Sequence, residues 1–382
     1  MFGIFKWAKA GGPGNGADAQ FGRSLWDDAW ARLKANRAAM ASIVLLVTML
    51  LACIVGPWLS PHDFDAVYRS YVKVPASLQP YPRAEEIEPG LQQALRRARV
   101  TVEEWREEGD RIVVTVSSKR EIDPRTTRYL DRANAFTDAR IEEQSEDGLR
   151  MVLSARVERL YFLFGTDSNG RDLLTRTLIA GRISLTIGLL ATLVALTIGV
   201  AYGATSGYFG GRVDMMMMRV VDILYSLPFI FFVILLVVFF GRNFILMFIA
   251  VGAIEWLDMA RIVRGQTLSI KRQEYVQAAE ALGVGSGGIL RRHVVPNTLG
   301  PVVIYMTLLV PKVILLESFL SFLGLGVQEP MTSWGVLISE GARNIQGASW
   351  MLIFPSLFLM ATLFALNFIG DGLRDALDPK DR

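Results

Sequence analysis

Apolar runs of about 20 residues recur along the chain at 40–59, 183–202, 220–240, 244–260, 302–323 and 350–369. A helix of that length crosses a hydrocarbon core of roughly 30 Å. The pattern predicts an all-α polytopic membrane protein with six transmembrane helices. The run at 244–260 is the weakest, because Glu255 and Asp258 fall near its end. Between Pro61 and Leu160 the pattern changes: this stretch holds 17 Lys/Arg and 19 Asp/Glu and no spanning run, so a soluble domain is inserted after the first span.

The insert repeats itself. Glu86-Ile87-Glu88-Pro89 returns as Glu121-Ile122-Asp123-Pro124, Ala98-Arg99-Val100 as Ala139-Arg140-Ile141, and Gly109 to Val113 as Gly148 to Val152. Each copy reads as an acidic residue before proline at a helix start, a polar helix, and two alternating strands around a glycine turn. The expectation is an inserted α+β domain over 60–164, duplicated, in the order α-β-β-α-β-β, with a four-stranded antiparallel sheet and two helices.

Loop charge predicts orientation. Lys6, Lys9, Arg23, Arg32, Lys34 and Arg37 precede the first run, and Arg261, Arg264, Lys271, Arg272, Arg291 and Arg292 follow the fourth. Both regions are expected in the cytoplasm with both termini, which makes the insert extracytoplasmic. The first run reads as a retained anchor, being too long for a cleaved signal, too far from the start and without a small-residue cleavage site. Before it, the stretch 24–33 carries Trp26, Ala29, Trp30 and Leu33 at helical spacing, with Ser24 and Asp27 as a capping box. It reads either as an interfacial helix on the lipid bilayer or as a helix packed on its own bundle.

Composition narrows the chemistry. A net charge of +3 among 77 charged residues gives no footprint for nucleic acid. The one cysteine, Cys53, excludes an intrachain disulfide, and His62 and His293 belong to no metal-ligand motif. Gly165 and Gly170 have the spacing of a phosphate loop, but Arg171 and Asp172 stand where lysine and Ser/Thr are needed, and Asp167 adds a charge that repels phosphate. The glycine set 283–288 follows a helix rather than a strand, which argues against dinucleotide binding. Met215 to Met218 are contiguous and cannot converge on a copper ion from a helix. No cofactor or metal is expected on this chain.

Residues 274–283 read as a short helix ended by Gly283, with Tyr275, Ala278, Ala279 and Leu282 on one face, where the paired alanines let a partner approach closely. Such a helix docks in a groove as an amphipathic peptide does. Inside the runs, Lys312, Glu317, Glu255 and Asp258 are costly at membrane depth and are expected to face the bundle interior, either lining or gating a pathway or pairing with another subunit.

Gln277-Ala278-Ala279, Gly283 and His293-Val294-Val295-Pro296 resemble the EAA-type loop of bacterial ABC importer permeases, Gln277 departing from the usual Glu. The segments GRSLW (22–26), NRAA (36–39), GTDSNGRDLL (165–174), WLDMARIVRGQT (256–267), ESFLSFLGLG (317–326) and the ending DGLRDALDPKDR extend the likeness over about 21–60 and 161–382. Together they resemble the C-type permease subunits of the oligopeptide (peptide/nickel-type) ABC importer family, although not in the insert.

That resemblance implies a type I importer permease of the bacterial inner membrane that is not itself an enzyme. It would comprise a cytoplasmic segment 1–39, a first helix 40–59, the insert, a permease domain 165–371 and a cytoplasmic tail 372–382. It also implies a second homologous permease subunit, two cytoplasmic ATPase subunits carrying ATP and Mg, and an extracytoplasmic peptide-binding protein. Glu274, Tyr275, Gln277, Ala278, Ala279, Leu282 and Gly283 would couple to the ATPase, and GTDSNGRD would be a tight extracytoplasmic turn. Dipeptides, nickel or another small solute are the alternative cargo, and a stand-alone secondary transporter or channel is the alternative class.

Overall fold

The computed structural model describes residues 25–133, 135–240 and 244–377; Lys6, Lys9, Arg23, the capping residue Ser24 and the tail residues 378–382 lie outside them. Helix α1 (Leu25–Ala35) is separated from α2 (Arg37–Leu59) by Asn36, whose side-chain oxygen accepts the N–H groups of Ala38 and Ala39, each at 3.1 Å. Ala29 and Leu33 are buried in a cluster with Ala39 and Ala376, while Trp30 is exposed under the Lys34 ammonium. Of the two readings of this segment, these contacts are those of a helix packed on its own bundle.

The insert has the element order α3 (Ala84–Arg96), β1 (Thr101–Glu108), β2 (Arg111–Ser117), α4 (Thr127–Asp131), β3 (Phe136–Gln144) and β4 (Arg150–Val157). The strands form one antiparallel sheet in the order β1-β2-β4-β3. Alternation in β2 and β4 buries Ile112, Val114, Val116, Met151, Leu153 and Ala155 under Ile87, Leu91, Leu95 and Leu130 of the helices. The second helix is shorter than the sequence pattern suggests, five residues after a 3₁₀ turn at Pro124–Thr126. In the central ladder Val114 pairs with Leu153, Ile112 with Ala155 and Val116 with Met151. The sequence repeat relates 112 to 151, 114 to 153 and 116 to 155, so the ladder maps onto itself about a local two-fold axis.

The remaining helices form a bundle: α5 (Leu173–Phe209), α6 (Gly211–Ser226), α7 (Phe229–Phe240), α8 (Phe244–Ile270), α9 (Glu274–Ala281), α10 (Ser286–Ile289), α11 (Val295–Phe322), α12 (Trp334–Arg343) and α13 (Trp350–Leu377). Among the described residues four helical stretches are long and apolar enough to cross a membrane: Arg37–Leu59, Leu173–Phe209, Ser286–Phe322 and Trp350–Leu377. The third expected run, 220–240, is not one helix. It breaks at Leu227, which is extended ahead of Pro228, because proline offers no N–H and crowds the preceding turn. The fourth expected run is the first half of α8, which continues past 260 and carries Glu255, Asp258, Arg261 and Arg264.

Three glycines spaced by four, Gly199, Gly203 and Gly207, bring α5 against α8. A Cβ at Gly199 would sit 2.5 Å from the Cβ of Met259, one at Gly207 would sit 2.8 Å from that of Thr267, and one at Gly203 would strike the Ala260 carbonyl. Contacts advance together along both helices, so α5 and α8 are parallel, and α6 with α7 must return the chain between them. Helix α11 is antiparallel to α5, with Ile314 against Gly188 and Glu317 beside Ser184.

The bundle therefore has two distinct ends. At one, Ser60 after α2 bonds Thr175 at the start of α5 (2.6 Å), Trp350 donates to the Thr166 carbonyl (3.2 Å), and the insert follows. GTDSNGRD lies here as a tight turn: Asp167 accepts the N–H groups of Asn169 and Arg171 and the Arg171 side chain, Gly165 and Gly170 have φ of +77° and +81°, and Asp172 caps α5 through the Thr175 N–H. At the other end lie α1, the C-terminal turns of α5, α8 and α13, and α9.

Candidate functional site

Helix α9 is short because glycine stops it. Gly283 has φ of +79°, its N–H bonds the Glu280 carbonyl and that of Val284 bonds the Ala279 carbonyl, the two contacts of a Schellman cap. One side of α9 faces the bundle: Val276 and Ala279 are buried in a cluster with Ile289, Val294 and Tyr208. The other side carries Tyr275, Ala278 and Leu282, all exposed, Leu282 at 84%. Ala279, expected on the docking face with Ala278, is only 8% exposed and belongs to the inner side. Its position on the helix falls between Tyr275 and Val276, and it joins the buried cluster that holds Ile289 of α10 and Val294. Glu274 and Gln277 are exposed beside the outer face, and Gln277 donates to the Arg272 carbonyl at 3.4 Å.

Long helices hold α9 in place. The Tyr208 hydroxyl of α5 donates to Glu280 at 3.3 Å, and Lys271 at the end of α8 donates to the Tyr208 carbonyl at 2.6 Å. One turn back, Asp214 of α6 accepts from Ser206 of α5 and from two nitrogens of Arg264 of α8, an ion pair between α6 and α8. These contacts join α5, α6 and α8 to one another and, through Tyr208 and Glu280, to α9. Sequence reasoning missed Tyr208, Asp214 and Arg264, since the partners are up to 72 residues apart. The spacing of Gly199, Gly203 and Gly207 was a legible signal for the helix contact that aligns them.

The expected pathway residues divide into two groups. Lys312 of α11 donates to Glu255 at 2.8 Å and to Asp258 at 3.2 Å, both on α8. The three line a cavity of about 740 Å³ whose other walls include Leu224, Tyr225, Phe232 and Phe319. Glu317 is not with them. Five residues after Lys312, it points to another face of α11 and is fully buried, accepting from Ser321 (2.7 Å), Ser184 (3.3 Å) and Ser318 (3.5 Å). Ser184 also accepts the N–H of Trp334, so this hydroxyl cluster joins α5, α11 and α12. A further buried charge went unread: Arg176 is 1% exposed, 3.3 Å from Asp167 and 3.9 Å from Glu340.

Residues 175–382 match the family model "Binding-protein-dependent transport system inner membrane component", more than half of the chain. The chain belongs to this family. Residues 24–80 of this permease match a second model, "N-terminal TM domain of oligopeptide transport permease C". The sheet of the insert falls between the two matches. The permease is 46% identical over 361 residues to the oligopeptide transport system permease protein OppC of Escherichia coli K12, covering 94% of this chain and 93% of that one. It is 44% identical over 361 residues to the OppC protein of Haemophilus influenzae, covering 94% and 90%. It is 37% identical over 360 residues to the dipeptide transport system permease protein DppC of Bacillus subtilis 168, covering 94% and 87%.

Proposed function

We propose that this chain is one of two permease subunits of an ATP-driven importer and carries oligopeptides delivered by an extracytoplasmic binding protein. It hydrolyses nothing; ATP and Mg belong to two ATPase subunits beneath it, and a second homologous permease completes the pathway. The observation that carries the reading is the outer face of α9: Tyr275, Ala278 and Leu282 stand exposed on a capped helix that Glu280 ties to Tyr208 of α5, and α5 is tied in turn to α6 and to the end of α8. A push on that face reaches three membrane helices at once, as alternation between inward- and outward-facing states requires.

The parallel packing of α5 and α8 supports six crossings, with α6 and α7 as the third and the first half of α8 as the fourth. Arg32, Lys34, Arg37, Lys271, Arg272, Arg291 and Arg292 gather at the α9 end, which supports a cytoplasmic location for that end and an extracytoplasmic one for the insert. The self-mapping β2 and β4 ladder supports an origin of the insert by duplication. Greater identity to OppC than to DppC relatives favours oligopeptides over dipeptides as cargo.

The test is co-expression with the neighbouring transporter genes, extraction in mild detergent, and ATPase assay of the complex. Two ATPase subunits co-purify with the wild-type chain, and Ala278→Asp releases them or abolishes stimulation by binding protein and peptide. A wild-type chain that purifies without ATPases would overturn the importer reading in favour of a stand-alone transporter or channel.

A further inference from the structure

We propose that Asp258 is the counter-ion for the α-ammonium group of a peptide passing through the α8 and α11 cavity. The proposal rests on the importer reading and goes beyond it by naming a contact with the cargo. Among the described residues that line the cavity, the charged groups are Glu255, Asp258 and Lys312. Two carboxylates face one ammonium, so the cavity holds one uncompensated negative charge. Arg261, a turn further along α8, is engaged elsewhere, by Asp222 at 2.9 Å and the Tyr225 ring at 4.3 Å.

The two carboxylates are not equivalent. The Glu255 side chain is 5% exposed and takes the shorter contact from Lys312, whereas that of Asp258 is 26% exposed and takes the longer one. Lys312 retains Glu255, and Asp258 is the group free to exchange partners. The rest of the wall is largely aliphatic and aromatic, as in Leu224, Phe232, Leu316 and Phe319. Such a wall receives side chains of many shapes through non-directional burial but leaves a charged terminus without a partner, which is costly away from water. The α-ammonium is the cation that every unmodified peptide shares. One carboxylate at this place therefore serves any sequence, and it selects a chemical class rather than a side chain.

The complete importer in proteoliposomes tests this. ATP-dependent uptake of a tetrapeptide with a free N-terminus is compared with that of its N-acetyl form, both at concentrations that saturate the binding protein, and rates are normalised to assembled complex. Selectivity of the binding protein is common to all variants and cancels in the ratio. Asp258→Asn is expected to lower the free-to-acetyl rate ratio about tenfold relative to wild type, the scale of one charge-assisted hydrogen bond, and Asp258→Glu to preserve it. If Asp258→Asn does not assemble, Lys312→Gln serves instead: both carboxylates remain, so the ratio stays at or above the wild-type value. An unchanged ratio in Asp258→Asn, or a lowered one in Lys312→Gln, would overturn the proposal and leave the triad as a helix-to-helix latch. No ATP-dependent uptake of either peptide by the wild-type complex would instead sink the importer reading beneath it.

Discussion

Adjacent alanines on α9 have opposite fates. Ala278→Asp places a charge in water on the exposed face, so the chain should accumulate in the membrane at wild-type levels while stimulated ATPase activity falls at least tenfold. Ala279→Asp drives a carboxylate into the cluster of Val276, Ile289 and Val294 and should lower the amount and melting temperature of the chain itself, because a buried unpaired charge costs several kcal/mol. Immunoblots beside the ATPase assay separate the two. Glu317 makes a different case. Glu317→Ala leaves the hydroxyls of Ser184, Ser318 and Ser321 without their acceptor and should destabilise by about 1–3 kcal/mol, read as a lower melting temperature in detergent. The relative uptake rates of different peptides should not change, since Glu317 does not line the cavity. Residue types were legible from sequence at all these sites. The direction each one faces was not, because α11 is apolar on all sides and its sequence carries no mark of which face meets which neighbour.

At the scale of elements, the contact between α5 and α8 sets the frame for everything at the α9 end. Gly203→Leu must push a side chain into the Ala260 carbonyl and the Val263 side chain, so the helices separate. Overpacking of this kind costs about 1–3 kcal/mol. The expected result is a lower melting temperature together with weakened coupling, since Arg264 and Asp214 lose their alignment; Gly265→Ala, on an open face of the partner helix α8, should do neither. Element type was readable nearly everywhere: apolar length marked α2, α5, α11 and α13, and alternation marked β2 and β4. Element boundaries were less so. The break at Leu227 and Pro228 lies within an unbroken apolar run, where hydropathy alone favours one long helix, although the proline was in plain view.

The whole molecule has an insert end and an α9 end, and the proposed orientation makes these the outside and the inside. In a Cys53→Ser background, a cysteine at Thr115 on the uncovered sheet face should react with membrane-impermeant maleimide added to intact spheroplasts, and a cysteine at Leu282 should react only after permeabilisation. Reaction of both from outside would invert or dismantle the topology.

If the insert extends the docking surface for the extracytoplasmic binding protein, its removal should weaken stimulation by that protein. The deletion is placed at 84–157, since Tyr81 and Leu160 exchange backbone hydrogen bonds at 2.7 and 2.8 Å and leave the cut ends adjacent. A wider deletion over 66–158 would also remove Tyr68, Lys73 and Val74, whose N–H groups brace GTDSNGRD. The shorter deletion should assemble with the ATPases while stimulation by the binding protein falls; full stimulation would show that the sheet domain plays no part in docking.

The sequence by itself determined the class of molecule. Apolar runs fix which segments suit a bilayer, charge density fixes where a soluble domain interrupts them, a strand period fixes the sheet, and glycine after a short helix fixes where α9 stops. Each is a local property, written within one element. Only the tertiary structure decided that Ala279 faces inward, that Lys312 joins Glu255 and Asp258 while Glu317 lies in a nest of serines, and that α5 and α8 run parallel with the chain returning between them. Those outcomes depend on how helices more than fifty residues apart are rotated and shifted against each other. That rotation is set by which neighbour meets the small residues that permit close approach and by where buried charges find partners, and both pairings join segments far apart in the chain.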